Sequence, residues 1–182
     1  MHKRMEIRLA GEGGQGMILA GIILAEAAAI YDGKQTVQTQ SYGPEARGGA
    51  SRSEVIISDG EIDHPEVLSA DVVVALSQEA YNKFAKTVRA GGLLIVDEDQ
   101  AETPADFSGL KIPVARIAHQ TTGKTITANT VALGVLVELT NLVTRAAIEK
   151  AITARAPKGT EEMNRKALQA GFAAAEQIKA TA

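Results

Sequence analysis

The sequence of 182 residues contains no cysteine, no tryptophan and only three histidines. Iron–sulfur clusters, thiol nucleophiles and redox disulfides all need thiolates, so this chain can form none of them alone. The histidines, His2, His64 and His119, lack the spacing of a metal site. We therefore expect no metal centre in this chain, and electron transfer through an iron–sulfur cluster would need another chain.

Positive charge and aromatic rings are also scarce. The formal net charge is -3, with three Tyr and three Phe. Nucleic acid is not an expected partner, because phosphate binding needs clustered cations and base stacking needs rings. The longest charge-free apolar stretch, residues 17–25, is too short to cross a bilayer, and the N-terminal residues lack the apolar centre of a signal peptide. We expect no membrane contact and a cytoplasmic location.

The composition, 45% hydrophobic and 23% charged, is typical of a globular chain, which we interpret as a single domain over residues 1–182. Hydrophobic patterning predicts two helices in the first part of the chain, at 17–30 and at 78–88, the second ended by Gly91–Gly92. It predicts strands at 5–10, 36–40, 52–58, 71–77, 93–96 and 112–118. Only helices follow, at 130–142, 145–156 and 160–180. This order favours an α/β fold with a Rossmann-like, mainly parallel sheet flanked by helices and a helical C-terminal third.

A glycine-rich segment lies between the first strand and the first helix. Its candidate ligand-binding residues are Gly11, Gly13, Gly14, Gln15 and Gly16, which include a G-x-G-x-x-G pattern. Glycines let the backbone approach a ligand, and a helix N-terminus favours an anion, although the same glycines could serve only tight packing. An NAD(P)-binding oxidoreductase stays an alternative on this glycine pattern. The second strand, however, ends without the acidic residue that would hold the ribose, and Asp32 precedes that strand.

A polar loop with the sequence SYGPEARGG connects the second and third strands. Its candidate residues are Ser41, Tyr42, Gly43, Glu45, Arg47, Gly48 and Gly49. Arg47 offers a planar fork of donors for a carboxylate or phosphate, whereas a pair with Glu45 would only shape the loop. Both loops follow strands of one sheet, so we expect them to face one site. Asn129 would contribute to it, unless it only caps the helix that begins there.

Four segments together resemble a known family. GEGGQG at 11–16, SYGPEARGG at 41–49, ADVVVALSQEAY at 70–81 and NTVALG at 129–134 are similar to the gamma subunit of 2-oxoacid:ferredoxin oxidoreductases. The resemblance covers residues 7 to about 171, and the SYGPE form looks most like the 2-oxoglutarate branch. It implies a complex that converts a 2-oxoacid and coenzyme A into an acyl-CoA, carbon dioxide and reduced ferredoxin.

The resemblance also implies a division of labour between subunits. Thiamine diphosphate, magnesium and iron–sulfur clusters carry the chemistry in such complexes. The pair Asp59–Gly60 does not match the thiamine-binding arrangement, so alpha and beta subunits, with a ferredoxin-like delta subunit in some complexes, would hold these groups. The chain would bind no cofactor alone, have no catalytic residue of its own and be inactive alone. The two loops would line a shared active-site region, unless the subunit is purely structural.

Overall fold

A computed structural model describes residues 4–42 and 49–181 as strands and helices that alternate and then give way to helices only. The strands are β1 (Arg4–Glu12), β2 (Gln35–Ser41), β3 (Ala50–Ser58), β4 (Ala70–Ala75), β5 (Val88–Asp97) and β6 (Leu110–Ile112). The helices are α1 (Met17–Glu26), α2 (Gln78–Phe84), α3 (Val114–Thr122), α4 (Ala128–Thr140), α5 (Arg145–Arg155) and α6 (Glu161–Thr181). A π-helical turn, Ala27–Tyr31, extends α1. The predicted α/β fold with a helical C-terminal third is confirmed.

The described strands form one six-stranded sheet in the order β2-β3-β1-β4-β5-β6. The neighbours β1 and β4, β4 and β5, and β5 and β6 are parallel, whereas β3 is antiparallel to both β1 and β2. β2 therefore runs in the direction of β1, and β3 alone among the described strands runs the other way. The prediction of a mainly parallel sheet is confirmed. The carboxyl ends of the parallel set and of β2 lie at one edge, which we call the carboxyl edge.

Helices cover the two faces of the sheet unequally. The larger apolar core joins inward-facing strand residues such as Ile7 and Leu9 to α1 and to α3 through α6. On the opposite face, α2 contributes Ala80 and Phe84 to a smaller core. Every residue of β4 is buried, so this central strand is covered on both faces.

The C-terminal helices pack closely where two glycines meet. Residues 128–137 of α4 are all buried, and α4 crosses α6 where Gly134 faces Gly171. A Cβ atom at Gly134 would lie 2.5 Å from the carbonyl oxygen of Leu168 and 3.0 Å from Cα of Gly171. The two helices therefore touch through backbone atoms, which only glycine allows at this distance.

The structure corrects the strand predicted at 112–118. β6 ends at Ile112, and residues 114–122 form α3 instead. Pro113 has no N–H to donate to a neighbouring strand, which ends β6. The carboxylate of Asp97 then accepts a hydrogen bond from the backbone N–H of Ala115 at 2.8 Å and caps the new helix from the end of β5.

The helix predicted at 78–88 is also shorter than expected. α2 ends at Phe84, and β5 begins at Val88 after a single 3₁₀ turn. Gly91 and Gly92 therefore lie inside β5 rather than at a helix end. Gly91 has φ of +75°, and the pairing of β4 with β5 shifts register beside it, so this glycine forms an irregularity in the strand.

Candidate functional site

The glycine turn, residues 11–16, joins β1 to α1 at the carboxyl edge. Gly14 and Gly16 adopt φ values of +94° and +74°, a conformation that other residues rarely accept. The N–H of Gln15 donates to the carbonyl of Glu12 at 3.1 Å and closes the turn. α1 starts directly after Gly16 and has no side-chain cap. Among the described residues, the N–H groups of its first turn therefore have no side-chain acceptor.

The glycines of the turn fall into two pairs. A Cβ atom at Gly11 would collide with the side chains of Gln15 and Met17, and one at Gly16 would lie 2.6 Å from Nδ2 of Asn129. A Cβ atom at Gly13 or Gly14 would meet no described atom within 4 Å. Gly11 and Gly16 thus make room for neighbouring side chains, whereas Gly13 and Gly14 leave backbone open to an incoming group. Ligand binding by any of these glycines stays a prediction.

The side chain of Gln15 folds back into the molecule. Its Oε1 accepts a hydrogen bond from the N–H of Glu12 at 2.8 Å, and its Nε2 donates to the carbonyl of Leu76 at 3.0 Å. Gln15 was predicted as a ligand-binding residue, but these contacts already use both ends of its amide. The sequence could not reveal them, because Leu76 lies 61 positions away along the chain.

Asn129 reaches the glycine turn from the helical layer. It is the second residue of α4, whereas Thr127 is the N-cap. Its Nδ2 donates to the carbonyl of Gly16 at 3.2 Å, and its Oδ1 accepts from the N–H of Thr130 at 2.9 Å. The structure therefore brings Asn129 to the turn, as expected, and the alternative that it is the cap residue of its helix is wrong.

The second loop starts and ends beside the glycine turn. In the β-sheet register, Glu12 lies opposite Ala50 and Gly11 opposite Ser51, at the first residues of β3. The hydroxyl of Ser51 also donates to the carbonyl of Gly11 at 3.1 Å. Among the predicted site residues, Ser41 ends β2, Tyr42 follows it and Gly49 precedes β3. Gly43, Glu45, Arg47 and Gly48 lie outside the described residues, so their roles and the proposed pair of Glu45 with Arg47 stay predictions.

A crevice opens where the connections after β1 and β4 diverge. β1 and β4 are parallel neighbours, yet α1 packs on one face of the sheet and α2 on the other. Such a divergence is where open α/β sheets bind ligands. Ser77 lies on the β4 side of the crevice, and its hydroxyl accepts from the N–H of Ala80 at 3.2 Å to cap α2. Residues 76–78 were not among the predicted site residues, although a serine directly after a fully buried strand was a usable signal.

A cavity of about 340 Å³ lies next to the glycine turn. It is lined by Gly14, Gln15, Gln100, Ala115, Thr125, Ile126 and Ala128. Ile126 is 66% exposed, Tyr42 is 68% exposed and Leu19, in the first turn of α1, is 40% exposed. Of these three side chains, Ile126 lines the cavity.

One buried carboxyl group lies at this edge. Asp97 ends β5 and is 1% exposed. Burial raises the pKa of Asp97, and hydrogen bonds from the N–H groups of Ala115 and Asp99 oppose that rise in part. Because both of its oxygens accept from backbone N–H groups, Asp97 stabilises the start of α3 rather than facing the cavity.

Residues 4–42 and 49–181 contain no group of three His, Asp or Glu side chains placed to hold a metal ion. In the same ranges, no helix has both the length and the hydropathy that crossing a bilayer requires.

Asp32, the acidic residue that precedes β2, has a structural role. Asp32 accepts hydrogen bonds from the N–H of Thr144 at 2.7 Å and from its hydroxyl at 2.8 Å. Its carboxylate therefore holds the start of α5. β2 itself carries no Asp or Glu, so the residue that a nicotinamide cofactor requires is missing at this position.

A family model described as pyruvate ferredoxin/flavodoxin oxidoreductase matches residues 6–174. The chain belongs to this family. It is 52% identical to the 2-oxoglutarate synthase subunit KorC of Methanocaldococcus jannaschii, over 96% of this chain and 96% of that protein. The resemblance inferred from the sequence motifs is confirmed.

Solved structures of family members superimpose on the fold. The gamma subunit of keto/oxoacid ferredoxin oxidoreductase from Geobacter sulfurreducens matches with a TM-score of 0.87 and 49% identity, over 96% of this chain and 98% of that one. The 2-oxoglutarate:ferredoxin oxidoreductase of Magnetococcus marinus, described with 2-oxoglutarate, coenzyme A and succinyl-CoA bound, matches with a TM-score of 0.85 and 25% identity. The match covers 96% of this chain but 31% of that longer chain.

Proposed function

We propose that this chain is the gamma-type subunit of a 2-oxoglutarate:ferredoxin oxidoreductase. The complex would convert 2-oxoglutarate and coenzyme A into succinyl-CoA and carbon dioxide, and oxidised ferredoxin would accept the two electrons. The observation that carries this proposal is the 52% identity, over nearly the full length of both chains, to a 2-oxoglutarate synthase subunit. The proposed location is the cytoplasm.

The carboxyl edge is the part of the chain that would face the reaction. Gly13 and Gly14 leave backbone uncovered, and the first turn of α1 has no side-chain cap, so this edge can approach the phosphates or the amide groups of coenzyme A. Arg47, in the neighbouring loop, would supply a guanidinium for a phosphate or for the 2-oxoacid carboxylate. The chain would contribute binding and enclosure, while the bond-breaking steps occur on groups that other subunits hold.

The chemistry of this chain's donors agrees with that division. Without cysteine, it has no thiolates for an iron–sulfur cluster. Its described carboxylates and histidines form no three-residue group suited to a magnesium ion. Thiamine diphosphate with its magnesium ion, and the clusters, are therefore assigned to alpha and beta subunits, with a ferredoxin-like delta subunit where the complex has one. These partners would cover the exposed side chains of Leu19, Tyr42 and Ile126.

Coexpression tests the proposal. The chain is produced with the products of neighbouring genes that carry thiamine and cluster motifs, and the complex is purified through a tag on a partner. We expect equimolar copurification and a kcat/KM for 2-oxoglutarate above that for pyruvate, measured by coenzyme A-dependent viologen reduction. A chain that stays monomeric with all candidate partners present, or a complex that prefers pyruvate, would contradict the proposal. Micromolar binding of NADH by the isolated chain would favour the NAD(P)-dependent alternative.

A further inference from the structure

The side chain of Gln15 extends the connection between β1 and β4 beyond their paired residues. The two strands pair up to Ala10 and Ala75, and the N–H of Leu76 donates to the carbonyl of Ala10 at 3.0 Å. Oε1 of Gln15 holds the N–H of Glu12, at the end of β1, while its Nε2 holds the carbonyl of Leu76, directly after β4. These two strand ends form the two sides of the crevice. A turn between a strand and a helix needs no such link, because glycine conformations and the bond from the N–H of Gln15 to Glu12 already close it.

The sequence around Gln15 is adapted to this arrangement. Any side chain at Gly11 would collide with Oε1 of Gln15, so the glycine at position 11 leaves space for the amide group. Gly13 and Gly14, whose Cβ positions are open, lie between Glu12 and Gln15, which the side-chain amide of Gln15 joins. The position of these two glycines is therefore fixed by the side-chain amide of Gln15, whose donor and acceptor are both in use.

We propose that Gln15 is a positioning residue that couples the end of β1 to the end of β4 and so holds Gly13 and Gly14 in place for coenzyme A. The coupling itself is a property of this chain. Its consequence for coenzyme A rests on the proposed function.

Two substitutions separate the two hydrogen bonds. Gln15→Met keeps the length of the side chain and removes both bonds. Gln15→Glu keeps an acceptor for the N–H of Glu12 but, when ionised, has no donor for the carbonyl of Leu76. Gln169→Met, at an exposed position of α6, is the matched control. Circular dichroism and thermal unfolding establish that each variant folds.

Amide hydrogen exchange of the isolated full-length chain, followed by NMR, tests the bond from Gln15 to the end of β1 without any enzymatic activity. We expect the Glu12 amide to exchange about five- to tenfold faster in Gln15→Met, the effect of one lost hydrogen bond, and to stay close to wild type in Gln15→Glu and Gln169→Met. An unchanged Glu12 amide in Gln15→Met would overturn the proposal, because the side chain would then hold nothing.

Steady-state kinetics of the assembled complex test the consequence. Both Gln15 variants should raise the KM for coenzyme A by about fivefold or more, with kcat within about twofold of wild type, because the turn is misplaced while the reacting groups lie elsewhere. A wild-type KM in Gln15→Glu would overturn the proposal, since the link to β4 would then be unnecessary. A wild-type complex without coenzyme A-dependent turnover would refute the proposed function instead, and the exchange measurement would still decide whether Gln15 holds the end of β1.

Discussion

At the residue scale, Arg47 is the one guanidinium in the loop between β2 and β3. The loop leaves β2 and enters β3 at the carboxyl edge, next to the glycine turn. Arg47→Lys keeps the charge but loses the bidentate contact, which should cost about 1.5–3 kcal/mol. We expect kcat/KM to fall by about tenfold to more than a hundredfold for either coenzyme A or 2-oxoglutarate, whichever the side chain contacts.

The assay varies the two substrates separately on the assembled complex. Arg165→Lys, at an exposed position of α6, is the control substitution. A change of less than about twofold for both substrates, with the complex intact, would mean that Arg47 shapes the loop and binds neither of them.

Asp97 should make the stability of the chain depend on pH in an unusual direction. Burial raises the pKa of its carboxyl group above the ordinary value of 3.8, so the folded state binds a proton more readily than the unfolded state. The stability that this preference contributes is fully present below the ordinary pKa and is lost as the pH rises through the folded-state pKa. The free energy of unfolding of wild type, minus that of Asp97→Asn, should therefore increase as the pH falls from 8 toward 4, by about 1.4 kcal/mol for each pKa unit. Urea titrations across this range measure it, and a constant or falling difference would contradict it.

The pKa of Glu138 is shifted in the opposite direction to that of Asp97, so the effect of pH on stability should be reversed. A hydrogen bond from Lys179 lowers the pKa of the Glu138 carboxyl group below 4.5, burial raises it back in part and Arg145 lowers it further. The stability from these contacts is present above the ordinary pKa and is lost as the pH falls through the folded-state pKa. The difference between wild type and Glu138→Gln should thus shrink on acidification, where that for Asp97→Asn grows.

At the element scale, the crossing of α4 and α6 should tolerate no added methyl group. A Cβ atom at Gly171 would collide with the carbonyl oxygen of Val131 and lie 2.9 Å from Cα of Gly134. Helix propensity alone favours Ala over Gly by about 1 kcal/mol, but forcing the helices apart costs about 1–3 kcal/mol. Because the clash at Gly171 is with backbone atoms, we expect the upper end of that cost, so Gly171→Ala should lower the free energy of unfolding by about 1–2 kcal/mol in urea titrations. Ala173→Ser, which adds one atom at an exposed position of α6, should change it little, and an equally small effect of Gly171→Ala would refute the close crossing.

Elements with a strong local pattern were predictable from the sequence, and those defined by distant contacts were not. β4 is a continuous apolar run, and its burial on both faces followed from that run. Residues 112–118 were assigned to a strand, because Ile112, Val114 and Ile117 are β-branched. A helix forms instead, because Pro113 ends β6 and the carboxylate of Asp97 caps the residues that follow. Asp97 lies 18 positions before Ala115, whose N–H donates to it. That cap exists only once β5 and β6 are paired.

In the candidate site, too, the features set by local sequence were predictable, and those set by distant contacts were not. The position of the glycine turn between a strand and a helix, and its proximity to the second loop, follow from sequence order and the rules of parallel sheets. The use of Gln15 as a link to β4, and of Asn129 to hold Gly16, depends on contacts across 61 and 113 positions of the chain. Such contacts decide which candidate side chains are free to meet a ligand, and no local pattern encodes them.

At the scale of the whole molecule, the candidate site lies exposed at the carboxyl edge of the sheet. The helices of the larger layer bury a continuous core against the sheet. Of the exposed apolar side chains, Ile126 lines the cavity next to the glycine turn, and Leu19 lies in the first turn of α1, directly after the glycine turn. In the Magnetococcus marinus oxidoreductase the matching region is 31% of a longer chain, so additional polypeptide accompanies this fold there. Separate subunits would play that part here.

The most direct test of the proposed function is to reconstitute the complex with and without this chain. Initial rates of ferredoxin or viologen reduction are measured with 2-oxoglutarate and coenzyme A for the partner subunits alone, for this chain alone and for all subunits together. We expect activity only in the complete mixture, because this chain has no thiolates for clusters and, under the proposed function, supplies the edge that encloses coenzyme A. Substrate-dependent reduction by this chain alone, or an undiminished rate without it, would contradict the account.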